Sequence, residues 1–434
     1  MRRTITSRGC APALALALIL SASLPGFARG EDKASASGPA FDIGLVVDAD
    51  SLTVDPVESA TLSWRTSDGA DRTADLREPV RLRASGAQLL VEPVGKSRAV
   101  PLAVLRASDT LWIGDERFEE GSSPRLRWNG KTWRGRFKAF LSPRGRLTLA
   151  TRIDLEPYLL GVVPGEIGAL RDSLLEAGRA QAIAARSYSL FYRGRRAAEG
   201  FDMYATVEDQ FYSPAESERP LATRCVETTR GVVSMADGQP IRANYCSTCG
   251  GITADVWEAW PAQSLSYLRG RADRGLGDGD HCSLSPQYRW REEWPIAGFA
   301  ETIAKNAPLQ GVAIPAKGIG SVQQVDVLER SRSGRVWRLR VTTTTGTLDI
   351  PAHVMRQVLR RPGNPNSILR SNLFKIAVRR DSSGQPVSVV ASGAGSGHGV
   401  GLCQTGALAM ARAGAKAEGI LTHYYAGTSL VKLW

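Results

Sequence analysis

The run Leu155-Glu-Pro-Tyr-Leu-Leu-Gly-Val-Val-Pro-Gly-Glu166, continuing to Gln181-Ala-Ile-Ala-Ala-Arg-Ser-Tyr188, constrains the fold most. It sets a Pro-Gly pair between a strand-like lead-in and a helix-forming segment. Proline fixes φ and glycine takes conformations closed to other residues, so Pro164-Gly165 predicts a turn. That turn places Glu166 at a sharp strand-to-helix junction with its side chain aimed outward. Glu166 is therefore the first catalytic candidate.

The chain leading to this junction has a β pattern. From Phe41 to about Ile153, short apolar or alternating runs such as Ile43-Gly-Leu-Val-Val, Val80-Arg-Leu-Arg and Leu89-Leu-Val are separated by Gly, Ser and Asp. The clearest hairpin joins Gly135–Leu141 to Arg146–Ile153 through Ser-Pro-Arg-Gly, with alternation on both arms. After the junction, Ser173 and Glu176 fit a capping box for a helix over about 174–198, with Arg193, Arg195 and Arg196 near its end. Leu174, Gly178, Gln181, Ala185, Tyr188 and Tyr192 recur at steps of four and three and so share one face. Gln181 is polar on that face and needs a partner if buried. Further strands are expected at Val232, Pro240, Val336 and Val387, short helices at 301–307 and 352–361, and two helices after Gln404. The fold class is α+β: a β-rich N-terminal region over 41–153, then a mixed α/β core over 154–434.

The N-terminus has the pattern of a secretory signal: Arg2, Arg3 and Arg8, the apolar run Ala11–Leu20, then small residues to Ala28. The apolar run is short of the roughly 20 residues a spanning helix needs, so cleavage near Ala28 is expected rather than anchoring. Residues 29–40 read as a flexible leader. The mature protein is expected outside the cytoplasm, secreted, periplasmic or in the wall, where metabolic cofactors are not expected. Formal charge is +12, and loss of the signal arginines leaves the chain basic, suited to polyanionic surroundings. No dense Lys/Arg run with interleaved aromatics and no helix-turn-helix or zinc-finger spacing points to nucleic acid.

Three other constellations carry chemistry. The loop Gly393-Ala-Gly-Ser-Gly-His-Gly-Val-Gly401 lies between a strand and a helix, yet too little chain follows for a dinucleotide fold. Its glycines instead let backbone approach an extended ligand, with His398 in the groove. Cys403 beside His398 invites a cysteine-nucleophile reading, but nothing near them orients the histidine. Cys246-Ser-Thr-Cys249 and the pair His281-Cys282 form a Cys3His set suited to structural zinc, while a Cys246–Cys249 or Cys249–Cys282 disulfide competes in an oxidising compartment. The mature chain keeps Cys225 and Cys403 besides these three, and an odd count forbids full internal pairing.

The ordered blocks at Leu155–Ile167, Arg179–Ser189, Thr206–Tyr212, Arg242–Thr253, Ser285–Trp290, Gly395–Ala407 and His423–Thr428 resemble the SpoIID/LytB family, which includes a peptidoglycan-cleaving lytic transglycosylase and an amidase enhancer. The resemblance implies that Glu166 acts as general acid and base on a glycan strand. It places Arg179 and Arg186 near substrate or Glu166, and Gln181, Tyr288, His398, Gln404 and Tyr425 along the groove. Gly165 stands where the family has Ser, Arg179 where it has Lys, and the usual Pro and Trp after the glutamate are missing. The function implied is a secreted lytic transglycosylase that cleaves MurNAc–GlcNAc bonds of denuded glycan with no required cofactor. Peptidoglycan strands are the expected partner and wall amidases a further one. The rival reading is a non-catalytic wall-binding amidase enhancer.

Overall fold

The computed structural model describes residues 37–66, 69–95, 100–115, 126–275 and 279–434. The signal segment and residues 29–36 of the expected leader lie outside these. The leader's last residues are not free chain: the N–H groups of Leu155 and Glu156 donate to the carbonyls of Pro39 and Ser37 at 3.1 and 3.0 Å. Among the described residues no helix is long and apolar enough to cross a membrane.

The N-terminal region builds two sheets. A seven-stranded sheet runs in the order Met203–Tyr204, Ala40–Ala49, Leu147–Asp154, Arg136–Leu141, Leu111–Ile113, Ala60–Arg65, Asp71–Leu76. A six-stranded sheet has Ser51–Pro56 and Val80–Ser85 at its centre. The expected hairpin forms with Arg136 opposite Arg152 and Leu141 opposite Leu147. Its alternation sorts Phe137, Ala139 and Leu141 into the main core.

Among the described residues seven α-helices follow: α1 (Leu155–Ile167), α2 (Leu175–Phe191), α3 (Pro220–Thr228), α4 (Ile296–Asn306), α5 (Ala352–Val358), α6 (Gln404–Arg412) and α7 (Ala417–Tyr424). Three expectations need correction here. The Pro-Gly pair does not make a turn before Glu166: the helix begins directly after Asp154 and carries Pro164 inside it. A proline within a helix forfeits one backbone hydrogen bond but need not end it, and α1 stops only at Gly168, whose φ is 76°. Glu166 therefore sits on the last turn of α1. The second correction is that Ser173 and Glu176 form no capping box. The first helical residue of α2 is Leu175, and Glu176 instead accepts from Arg179 and from the N–H of Ala417. The same helix ends at Phe191, short of the expected 198.

Third, α2 is not a helix with one buried face. Every residue from Ala180 to Leu190 is buried, because α1, α3, α6 and α7 and the strand Val232–Ala236 pack around it. Its small side chains permit that enclosure. Gly178 shows the tightness: a Cβ there would lie 2.6 Å from Cys225 Sγ.

One core runs from Phe41 in the first strand through α1 and α2 to Tyr425. A second core, from Trp290 to Ala391, belongs to a unit built on α4, α5, and two three-stranded sheets. This unit interrupts the main fold, whose two flanks rejoin where Tyr245–Cys246 pairs in parallel with Leu402–Cys403. That pairing delivers the start of α6 to the end of α1. The site depends on it.

Candidate active site

Glu166 receives two donors from distant parts of the chain. The Phe211 N–H donates to its Oε1 at 2.8 Å, and Gln404 Nε2 donates to its Oε2 at 3.2 Å. Small residues on α1 allow the first contact. A Cβ at Gly161 would lie 2.5 Å from the Ser213 carbonyl, and one at Gly165 would lie 2.7 Å from Ser213 Oγ and 2.9 Å from the Phe211 carbonyl. The 211–213 segment thus lies directly on the helix, its backbone aimed at the glutamate. Gly165 has a packing reason to be glycine.

Burial pushes the Glu166 carboxyl above its ordinary value, against the pull of the Phe211 and Gln404 hydrogen bonds. No second carboxylate contributes to that shift. Beyond the carboxyl lies a polar network in an aromatic setting: Tyr245 OH donates to Gln210 Oε1 at 2.8 Å, and Gln210 Nε2 donates to Ser189 Oγ at 2.8 Å. Gln210 Nε2 also lies 3.4 Å from Tyr158 OH. Gln210, Phe211 and Tyr245 belong to the site and were missed as site residues, although the Thr206–Tyr212 and Arg242–Thr253 blocks that contain them were visible in the sequence.

The residues expected in the groove divide. Gln404 meets Glu166, and fully buried Gln181 lies behind it, its Oε1 3.5 Å from Gln404 Nε2. Gln181 Nε2 has no acceptor among the described residues. Arg186 is fully buried in a bidentate pair with Glu156, not Glu166, at 2.9 and 2.7 Å, and donates to the Val232 carbonyl. Arg179 pairs with Glu176 at 2.6 Å and bonds Thr228, on the side of α2 facing α3. Tyr425 is buried with its OH on the Asn244 carbonyl at 2.7 Å, so it braces the strand before Tyr245. For Arg186 and Tyr425 the physical reason is shared: polar groups buried in a tightly packed core must find internal partners.

His398 and Tyr288 are held by partners other than the Glu166 carboxyl. The His398 ring packs on Trp260, its Nδ1 accepts from the Val400 N–H at 3.0 Å, and burial with nearby arginines holds it neutral, its pKa pushed down to about 3. Arg242 covers the same indole at 4.2 Å. Tyr288 donates to Asp280 at 2.6 Å and carries the Arg289 guanidinium over its ring.

The expected zinc set is rearranged. Cys249, Cys282 and Cys403 converge with Asp273, their ligand atoms all within 4.8 Å of one another and all buried. Cys403 and Asp273 replace Cys246 and His281. Cys246 is carried away by its pairing beside Cys403, and His281 joins His423 around the other side of Asp273. The five described cysteines form no disulfide, and the Cys249 and Cys282 sulfurs are 3.7 Å apart. Three sulfurs and a carboxylate are a donor set that fits zinc, which prefers four such ligands in tetrahedral array. Hydrogen bonds with Cys249 and Cys403 push the Cys282 thiol below its ordinary value.

With this geometry in hand, the sequence relationships acquire meaning. Residues 143–235, which hold α1, α2 and the Phe211 segment, match the family model described as stage II sporulation protein. Residues 275–401 match a domain of unknown function, DUF8618, and contain the second core. The chain is similar to the amidase enhancer of Bacillus subtilis, at 28% identity over 63% of this chain and 40% of that protein. It is also similar to stage II sporulation protein D of Bacillus subtilis, at 26% identity over 64% and 74% of the two chains. An uncharacterised protein of Brachyspira hyodysenteriae is 25% identical over 67% and 70%. The chain is an α+β protein whose residues 143–235 carry a stage II sporulation protein domain, and it resembles the SpoIID/LytB family.

Proposed function

We propose that this protein works on the cell wall as a lytic transglycosylase, cleaving MurNAc–GlcNAc bonds of peptidoglycan strands with Glu166 as both acid and base. The observation that carries the reading is a carboxyl raised by burial, held by two donors, with no second carboxylate acting on it. Glycosidases that add water generally need two carboxyl groups at a defined separation. A muramic acid residue brings its own nucleophile, the C6 hydroxyl, so one group suffices. Glu166 first gives its proton to the glycosidic oxygen as the C1–O bond breaks and the departing sugar leaves as an alcohol. The C6 hydroxyl oxygen then bonds to C1, and its proton returns to Glu166. Atoms balance without water, and the enzyme ends protonated as it began.

The donors suit this cycle. Phe211 N–H and Gln404 Nε2 stabilise the carboxylate that exists only between the two transfers, while burial favours the acid form that starts the reaction. Denuded strands, stripped of stem peptides, are the proposed substrate. Zinc, where bound by Cys249, Cys282, Cys403 and Asp273, would tie together the 249–282 segment and the start of α6, supporting Gln404. Such a site has four protein ligands and is structural.

The test is the oxygen source of the product. Digestion of purified denuded glycan in heavy-oxygen water, read by mass spectrometry, should give 1,6-anhydro ends without label. Labelled reducing ends would make the enzyme a hydrolase. An intact glycan with strand binding retained would instead favour an amidase-enhancing module.

A further inference from the structure

The second core carries a cavity that the proposed reaction does not use. It is about 560 Å³ in volume and opens between the strands Arg289–Pro295, Phe374–Arg380 and Pro386–Ala394. Its walls are apolar: Trp290, Phe374, Leu373 and Ala394 line it. Trp290 and Phe374 are themselves buried, with ring centroids 6.2 Å apart, and the indole N–H is spent on the Gly395 carbonyl at 2.9 Å. Gly393 lets the indole lie against the strand, since a Cβ there would come within 2.3 Å of the ring. The cavity is shaped by packing, not by a loose loop.

Its rim is cationic. Arg289, Arg330 and Lys375 are exposed and line the opening. Two of them are already oriented by backbone oxygens. Arg330 donates to the carbonyls of Gly334 and Phe374 at 2.7 and 3.0 Å, and Arg289 donates to those of Gly250 and Tyr288 at 3.1 and 2.9 Å. Carbonyls fix the guanidinium positions, Arg289 also bonds the Tyr288 hydroxyl that donates to Asp280, and no Asp or Glu lines the cavity itself. Preorganised cations over an apolar floor with no acid in the lining suit a carboxylate attached to small aliphatic groups. The lining also lacks Asn and Gln, leaving Ser392 as its one hydroxyl, so it offers few acceptors for sugar hydroxyls.

We infer that this cavity binds the stem peptide of a wall glycan, a short chain in which carboxylates alternate with alanine methyls and an aliphatic diamino acid. The inference rests on the wall-directed reading above. It gives the 275–401 region a task separate from cleavage: holding a peptide-bearing stretch while Glu166 works on bare glycan. Charge complementarity selects the occupant, and the apolar walls select a peptide over a simple phosphate.

The experiment uses the full-length chain carrying Glu166→Gln and isothermal titration with N-acetylmuramoyl-L-alanyl-D-isoglutamyl-L-lysine. Saturable binding is expected, weakened about tenfold or more by Arg330→Gln and again by Lys375→Gln, as for loss of a charge-assisted hydrogen bond. In an otherwise unaltered chain, neither substitution should change the rate on denuded glycan. Absent binding, or equal affinity in all variants, overturns the inference. So does displacement by inorganic phosphate at equal concentration, which makes the ligand a simple anion. Equal weakening of denuded-strand binding by Arg330→Gln would assign the cavity to the muramic lactyl carboxylate and also overturn it. Peptide binding that survives in a chain unable to cleave any glycan would overturn the proposed reaction alone, whereas cleavage without peptide binding would overturn this inference alone.

Discussion

Replacing Arg186 by Met should cost folding stability and leave chemistry intact. The resemblance of the helix block to its family places this arginine near substrate, but the structure encloses it completely. Arg186 and Glu156 have 0% and 2% side-chain exposure and share two hydrogen bonds, at 2.9 and 2.7 Å. Methionine fills much of the volume but leaves Glu156 charged inside the core. Its remaining hydrogen-bond donors among the described residues are neutral: the Gly231 N–H at 3.0 Å and Trp434 Nε1 at 3.1 Å. Removing one member of a buried pair costs about 3–5 kcal/mol, a large part of the roughly 5–15 kcal/mol that holds a domain folded. The assay is urea unfolding by tryptophan fluorescence, paired with turnover of denuded glycan per folded molecule at low temperature. Arg186→Met should lower the midpoint strongly at normal turnover. Adding Glu156→Gln should recover part of the loss, because the stranded charge is gone while both neutral donors keep an acceptor. A variant that unfolds like wild type but has lost turnover would refute the reasoning and return Arg186 to the substrate.

Three further outcomes follow from the site. Gln404→Leu removes a donor that favours the Glu166 carboxylate, so the alkaline limb of the pH–rate profile, which tracks loss of the acid form, should move to higher pH; an unmoved limb would remove Gln404 from the site. Because the folded state raises the Glu166 pKa above the ordinary 4.5, the native protein holds this proton more tightly than the unfolded chain. The stability this group contributes is full below pH 4.5 and is lost as pH rises through the folded value, so Glu166→Gln should exceed wild type in melting temperature at pH 7 and gain nothing at pH 4; no gain at pH 7 would contradict burial as the cause. Protein purified without chelator should carry stoichiometric zinc by elemental analysis, lost in Cys282→Ser together with thermal stability, and absence of zinc beside a mapped Cys249–Cys282 disulfide would end the metal proposal.

Local pattern was readable where one period governs a segment. The hairpin ending at Asp154 alternates, so its register and buried face followed from sequence. The helix α1 was missed because Leu155–Val163 was read as a strand-like lead-in and Pro-Gly as a turn, whereas the segment is helical through Pro164 and packs closely at Gly161 and Gly165. Periodicity misjudged α2 for a related reason: a small-residue helix enclosed on all sides has no polar face to reveal its surroundings. Partners of buried polar groups were the least legible. Nothing local says that Arg186 meets Glu156 rather than substrate, or that Cys403 joins Cys249 across 154 positions. Such pairs are set by the return of the chain after the second core. Of the two donors to Glu166, Gln404 stood in a readable sequence block, whereas the Phe211 N–H did not show itself because a backbone donor carries no side-chain signal.

The most direct test of the account is the activity of Glu166→Gln on purified denuded glycan, followed by release of soluble products. With one group acting as both acid and base, turnover should fall about 10²–10⁴-fold while strand binding and folding persist. Equal turnover in both proteins would contradict the account and remove Glu166 from the chemistry.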